Sequence, residues 1–160
     1  MTTHSPDRTW TIQPRPWDDP DGAALRAAQR IELDDRYGSD DHEPGAAPSA
    51  DDIDLFLVAI DGAARAVACG ALRRLDDTSA EIKRMYVLPE MRGSGVATAV
   101  LRELESAAAR RGWTTLRLET GTEQPDAQRF YSREGYHEIP LFGHYVGSTL
   151  SVCFERVLRP

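Results

Sequence analysis

Apolar residues recur along this chain with two different periods, and each change of period marks an element. Between Thr9 and Trp17, Trp10 and Ile12 alternate with polar neighbours until Pro14 and Pro16 halt pairing, which predicts a short edge strand. From Asp21 to Tyr37, Ala24, Leu25, Ala28, Ile31 and Leu33 recur at helical spacing behind an acidic start; they predict one helix and form its inner face. Residues 38–52 are rich in Gly, Pro, Ala and Asp and predict a long loop, either functional or a solvated connection.

Three strand-like runs follow, Ile53 to Ile60, Ala64 to Leu75 and Ala80 to Leu88. Asp61-Gly62 and Asp76-Asp77-Thr78 supply the turns that fold them into an antiparallel meander. Val96, Val100, Leu101, Leu104 and Ala108 then return to the helical period until Gly112, a residue suited to a left-handed helix end. Thr114 to Glu119 reads as a strand. Pro125 opens a helix with Ala127, Phe130 and Tyr131 on one face, and Gly135 ends it. Thr149 to Leu158 alternates as a last strand. The order β-α-β-β-β-α-β-α-(β)-β, with no internal repeat, predicts one mixed α/β domain over residues 1–160, whose exposed strand edges at both ends leave room for a homodimer.

Composition narrows the function classes. A chain of 160 residues, 41% hydrophobic, is long enough to bury about 70% of its unfolded surface. Its net charge of −7 and scattered 19 Lys and Arg offer no basic tract, so nucleic acid is not an expected partner. Cys69 and Cys153 lie in alternating apolar runs and read as small core residues. His4, His42, His137 and His144 show no ligand spacing, and no metal is expected. The opening stretch Met1 to Arg8 lacks the apolar core of a signal peptide, and no run approaches the ~18–20 apolar residues that cross a bilayer, so the expectation is a cytoplasmic protein without a membrane partner.

Candidate chemistry concentrates after the strand ending at Leu88. Gly93 and Gly95 stand at the mouth of the helix that Val96 begins, with Arg92 just ahead. A helix start carries unsatisfied N–H groups and the positive end of the macrodipole, and glycines there let a phosphate approach the backbone. The glycines would also serve simply to turn the chain, but the preceding strand, Pro89 and Arg92 together favour a diphosphate. Gly93 to Thr98 imitates a dinucleotide fingerprint, with Glu119 as the ribose-binding acid. Against that reading, Thr98 replaces the third glycine, Glu119 lies later than the usual offset of about 20 residues, and the strand follows hairpins instead of opening a βαβ unit.

Arg92-Gly93-Ser94-Gly95-Val96-Ala97 matches R/Q-x-x-G-x-G/A, and Gln124-Pro125-Asp126-Ala127-Gln128-Arg129-Phe130-Tyr131-Ser132-Arg133-Glu134-Gly135-Tyr136 is similar to N-x-x-A-x-x-x-Y-x-x-x-G-F. In these two signatures, and over nearly its whole length, the chain resembles the GNAT superfamily of N-acetyltransferases. The resemblance implies a mixed, mostly antiparallel sheet of six to seven strands with helices on both faces and a splay between the fourth and fifth strands, here Ala80 to Leu88 and Thr114 to Glu119. It implies acetyl-CoA as co-substrate: pantetheine against the backbone of Met85, Tyr86 and Val87, pyrophosphate on the N–H groups of Arg92, Gly93, Ser94, Gly95, Val96 and Ala97, and Gln124 in place of the usual pantetheine-binding Asn.

The activity implied is acetyl transfer to a primary amine by direct attack in a ternary complex. Tyr131 falls at the general-acid position. Glu81 and Glu119 are candidate bases acting through water, although a neutral amine needs no dedicated base, and a backbone N–H near Met85 or Tyr86 would steady the oxyanion. A non-catalytic acyl-CoA sensor is the alternative, and Tyr131 weighs against it. The expected acceptor is a small-molecule amine or an amino acid, capped by the loop containing Phe142, His144 and Tyr145. Two pulls on it conflict: the acidic 38–54 segment favours a cation, whereas Arg73, Arg74, Lys83 and Arg84 would grip a carboxylate.

Overall fold

The computed structural model describes residues 9–158; the Met1–Arg8 stretch, His4 with it, lies outside the described residues. The elements run β1 (Thr11–Pro14), α1 (Pro20–Tyr37), β2 (Leu55–Ile60), β3 (Ala66–Arg74), β4 (Ser79–Val87), α2 (Val96–Arg110), β5 (Thr115–Gly121), α3 (Pro125–Arg133), β6 (His137–Ile139) and β7 (Ser151–Val157). They build one seven-stranded sheet in the order β1-β2-β3-β4-β5-β7-β6. Only β4 and β5 run parallel; the β2-β3-β4 meander is antiparallel throughout, as its turns predicted. The expectation of a C-terminal edge strand is corrected. β7 inserts between β5 and the three-residue β6, pairing antiparallel with both, so the edges are β1 and β6.

Helix α1 starts where the sequence sets a cap: the Asp19 carboxylate accepts the Gly22 N–H at 3.0 Å and Pro20 takes the first turn. It packs on one face of the sheet through Leu25, against Phe56, Val58, Cys69, Ala71 and Tyr86. On the other face the apolar stripe of α2, Val96, Val100, Leu101, Leu104 and Ala108, covers Leu57, Leu72, Ala80, Ile82, Leu116 and Leu118. Both cysteines are buried and free, and burial pushes their thiols up to about 12 for Cys69 and about 11 for Cys153. The predicted inner face of α1 needs correction: Ile31 is 70% exposed. The face that turns inward runs through Gly22, Leu25 and Ala28 and continues into Gln29 and Glu32, because the helix passes beyond the packed sheet and over a polar cleft.

The sheet opens between β4 and β5. Pairing runs from Ser79 opposite Thr115 to Ile82 opposite Leu118 and then stops. Immediately past it, β4 carries a bulge: Cys69 faces Tyr86 and Ala71 faces Lys83, so Gly70 stands opposite both Arg84 and Met85. Arg84 adopts φ 57°, a left-handed conformation that disfavours a residue with a Cβ by about 1–2 kcal/mol. A bulge bends its strand and sharpens the twist, which carries Met85–Val87 away from β5. Gly70 is needed opposite it, since a Cβ there would lie 2.5 Å from Met85 Sδ and 3.0 Å from Leu104 Cδ1.

Gly22 tests how tightly α1 is seated. Helix propensity alone favours alanine over glycine by about 1 kcal/mol, yet a Cβ at this position would lie 2.2 Å from Phe56 Cε2, on a ring that is 2% exposed and packed edge-on against Trp17. We expect Gly22→Ala to lower stability by about 1–3 kcal/mol in urea unfolding. A stabilised variant would show that α1 is free to lift.

Candidate functional site

A cleft of about 590 Å3 lies at the open end of β4, between α1, the start of α2 and α3. Met85, Tyr86, Val87, Arg92, Gly93, Gly95, Ala97, Gln124 and Tyr131 all border it, whereas Ser94, Val96, Glu81 and Glu119 do not. The strand edge, the helix start and the tyrosine singled out in the sequence therefore meet at one place.

The start of α2 is a cluster of donors. Gly93 and Gly95 take φ 81° and 95°, a backbone that L side chains rarely adopt. Gly95 caps the helix with no side-chain bond. The expected set of six amides narrows, because the turn before the helix uses some of them: Arg92 N–H donates to Pro89 O at 3.3 Å, Ser94 N–H to Met91 O at 3.2 Å, and Val96 N–H reaches Ser94 Oγ at 3.3 Å. Among the described residues, the N–H groups of Gly93, Gly95, Ala97 and Thr98 have no protein acceptor. They lie at the positive end of the α2 dipole, which suits an anion.

Four residues of α1 border the cleft, Gln29, Glu32, Leu33 and Arg36; two of them bond across it, and neither of these stands out in the sequence. Glu32 accepts from Arg92 at 2.7 Å, and Gln29 Nε2 donates to Met85 O at 2.9 Å. Arg92 also donates to Val87 O at 3.2 Å, so two backbone carbonyls of the splayed edge already hold side chains. The available signal was their i, i+3 spacing in phase with Gly22 and Leu25. Gln124 occupies the N-cap of α3 without making a cap bond, which leaves its amide beside the cleft.

Tyr131, on the second turn of α3, is 7% exposed and packs edge-on against Phe130 and Tyr136. Burial alone raises its hydroxyl well above the ordinary tyrosine range; no charged neighbour or hydrogen bond contributes. It remains a protonated donor at neutral pH.

The two carboxylates predicted as bases sit on the α1 face of the sheet with different surroundings. Glu81 is 1% exposed; Arg73 donates to it at 2.9 Å and the Tyr145 hydroxyl at 2.6 Å, with Lys83 Nζ at 3.7 Å. Its oxygens are occupied inside the protein, so the structure uses it as the centre of a buried ionic cluster. Glu119 is the first residue of β5 beyond the paired stretch and accepts only from Ser151 Oγ, at 2.6 Å. Burial pushes its carboxyl up to about 7; Ser151 and Lys83 oppose the rise, while Glu43 and Glu81 add to it.

The 38–52 loop is pinned here by Glu43, which accepts from Lys83 at 3.1 Å and Arg84 at 2.7 Å. Burial acts to raise the Glu43 carboxyl, but the two cations prevail and hold it at about 2. Three of the cations expected to grip a substrate carboxylate are thus held by buried or half-buried carboxylates, Lys83 and Arg84 by Glu43 and Arg73 by Glu81, whereas Arg74 pairs with Asp77 on the surface. A second cleft of about 380 Å3 opens between this loop and residues 144–150, bordered by His42, Glu43, His144 and Ser148. Of the predicted capping residues, His144 reaches it, while Tyr145 is 1% exposed beneath. Among the described residues there is no His, Cys, Asp and Glu group arranged to hold a metal ion, and no helix long and apolar enough to cross a membrane.

The sequence profile of the acetyltransferase (GNAT) domain matches residues 52–138, more than half of the chain. The chain belongs to the GNAT acetyltransferase family. A GNAT assignment removes the dinucleotide alternative and accounts for the parallel β4-β5 pair that parts at its end. The fold superposes on a Klebsiella pneumoniae structure provisionally described as an acyl-CoA N-acyltransferase, with a TM-score of 0.81 and 30% identity over 95% of this chain and 99% of that one. A GNAT acetyltransferase from Elizabethkingia anophelis with acetyl-CoA bound shares the fold at 17% identity, with a TM-score of 0.69 over 93% of this chain and 98% of that one. Among curated proteins, an IAA acetyltransferase of Azospirillum brasilense is 34% identical over 58% of this chain and 61% of its own length. An aminoalkylphosphonate N-acetyltransferase of Salmonella typhimurium is 40% identical over 36% and 38%. The chain thus spans less than two thirds of the curated relatives it matches.

Glu43 carries a pH-dependent share of stability. Its folded pKa is depressed from 4.5 to about 2, so its contribution is present above about pH 4.5 and is lost as pH falls towards 2. We expect Glu43→Gln to be less stable than wild type at pH 7 by on the order of 3 kcal/mol in denaturant melts. That gap should close between pH 5 and 2. A gap independent of pH would show that the pair with Lys83 and Arg84 does not hold the loop.

Proposed function

We propose that this chain transfers an acetyl group from acetyl-CoA to the primary amine of a small molecule, the amine attacking the thioester directly in a ternary complex. One observation carries the reading: a single cleft joins unoccupied amides at the start of α2, the splayed edge of β4 and the hydroxyl of Tyr131. In this proposal the N–H groups of Gly93, Gly95, Ala97 and Thr98 hold the diphosphate, and Arg92 exchanges Glu32 for it. The pantetheine runs along Met85, Tyr86 and Val87 with the Gln124 amide beside it.

The chemistry then divides between two groups. Tyr131 supplies the proton to the departing sulfur; burial keeps the hydroxyl protonated, and the same lack of solvent raises the basicity of a thiolate beside it. Glu119 is the proposed base, since a carboxyl near 7 can accept a proton at neutral pH. Glu81 is the weaker candidate because Arg73 and Tyr145 already hold its oxygens. A small-molecule acceptor is supported by the names of the relatives, an IAA acetyltransferase and an aminoalkylphosphonate N-acetyltransferase. With Lys83, Arg84 and Arg73 neutralised internally, the remaining acidic loop favours an amine carrying positive charge over an amino-acid carboxylate.

The test is incubation with acetyl-CoA and a panel of primary amines, following thiol release and product mass. Tyr131→Phe should bind CoA as wild type does and lose on the order of 100-fold or more in kcat, the scale of general-acid contributions. Unchanged turnover would remove Tyr131 from the mechanism, and CoA binding without thiol release from any amine would make the protein a sensor.

A further inference from the structure

The smaller cleft and the vertex of the split sheet are joined by a file of hydroxyls. Ser148 borders the cleft. Its Oγ lies 2.8 Å from Ser151 Oγ, and Ser151 Oγ donates to Glu119 Oε2 at 2.6 Å. The direction of the file follows when Glu119 is ionised. The Leu150 N–H donates to Ser148 Oγ at 3.2 Å, and the Ser151 proton is committed to Glu119, so Ser148 donates to Ser151. Ser151 is 8% exposed and locked in β7 opposite Gly121, and the Ser148 N–H donates to Tyr145 O at 2.9 Å. Ser148 Oγ therefore also caps the turn into β7, and Ser151 is fixed by the strand pairing.

Glu119 is faced by Glu43 from the loop, by Glu81 and Lys83 from β4, by Tyr145 and by Cys153 across the strand pair. The one cation in this set, Lys83, is bonded to Glu43 and to the Tyr145 hydroxyl. Glu119 therefore has no dedicated counter-charge, and its single protein donor is the serine that connects it to the cleft.

We propose that Ser148 and Ser151 relay the proton of an acceptor amine in the smaller cleft to Glu119, a role that rests on the acetyl-transfer reading above. The amine enters as its ammonium form: one N–H bond breaks towards Ser148 Oγ and leaves its electron pair on nitrogen, that pair then bonds to the acyl carbon, and a second N–H proton leaves the adduct to solvent. The Ser148 proton passes to Ser151 and the Ser151 proton to Glu119. Each hydroxyl ends neutral with a new proton, and Glu119 ends as the acid. The C–S bond breaks with its electron pair on sulfur, which takes the proton of Tyr131. Exchange with solvent returns Glu119 and Tyr131 to their starting forms. The carboxyl's raised pKa fits this use, since it is near 7 where the proton must be taken and given back.

Ser148 touches the amine and is a catalytic residue in this scheme, whereas Ser151 acts through it as a positioning residue, so the test reads a pH profile. With acetyl-CoA and putrescine, tyramine and glycine as probe acceptors, wild type should show an acid limb in kcat/KM near pH 7. Ser151→Ala should lose at least tenfold at pH 7, keep its KM for acetyl-CoA, and move the limb upward towards the amine's own pKa, where the amine enters neutral. Ser151→Thr should restore the limb. Ser148→Ala should shift it in the same direction, and Ser151→Ala combined with Glu119→Gln should lose no more than the worse single variant. An unmoved limb in Ser151→Ala and Ser148→Ala, failure of Thr to restore it, or multiplying losses would overturn the relay while acetyl transfer stood. Thiol release absent with every probe, alongside normal CoA binding by wild type, would overturn both together. Carboxyl 13C NMR adds a readout free of turnover: loss of the serine donor should raise the Glu119 pKa, and an unchanged value would sink the connection.

Discussion

The bulge at Arg84 and Met85 is the constraint on which the rest of the structure depends. Pairing of β4 with β5 ends at Ile82, just ahead of the extra residue, and the cleft lies along the edge of β4 that is left unpaired beyond it. The strained Arg84 is held in place by what surrounds it: its guanidinium donates to Glu43, its carbonyl accepts from Cys69 Sγ at 3.3 Å, and Gly70 gives the room opposite. Glu43 in turn carries the long loop, so the conformation of the strand and the position of the loop are set together. The local backbone penalty of about 1–2 kcal/mol is smaller than the roughly 3–5 kcal/mol that removing one partner of a buried ion pair costs.

The two faces of the opened sheet have been given different electrostatics by the same strand. At the start of α2, the edge of β4 meets amides without a protein acceptor and a basic side chain, and that end of the strand suits an anion. On the α1 side, Glu43, Glu81 and Glu119 gather around Lys83, Arg73 and Arg84, and the positive charges are matched internally. The proposed reaction needs this asymmetry, since its donor substrate is a polyanion and its acceptor an amine.

The meander, α2 and α3 were legible because their periods are clean and their turns carry Gly, Asp or Pro where the backbone needs them. The cleft's outline was legible for the same reason, since Gly93, Gly95 and Tyr131 fall in motifs. The bulge was hidden: its left-handed residue is an arginine, not the glycine that such a conformation normally announces. β6 was nearly invisible at three residues, which misplaced the C-terminal strand at an edge. Glu81 and Glu119 look alike in sequence, each alternating with aliphatic neighbours. What separates them is Tyr145, which reaches Glu81 from 64 residues away, and Ser151, which reaches Glu119 from 32. Non-local partners of this kind leave no periodic trace. Gln29 and Glu32 were hidden by an opposite error, in which Ile31 was assigned to the core on hydrophobicity although its side of the helix meets solvent.

The pairing of Arg92 with Glu32 gives the larger cleft an anion of its own. Any incoming phosphate must compete with that resident carboxylate, so the strength of capture is a difference between two attractions and not the whole of one. A ligand with a single negative charge has little advantage over the occupant, whereas a diphosphate, reaching the amides and the guanidinium at once, outbids it. In the proposed reaction the Glu32 carboxylate thereby sets a charge threshold at the mouth of the cleft, which a diphosphate meets and a single negative charge does not.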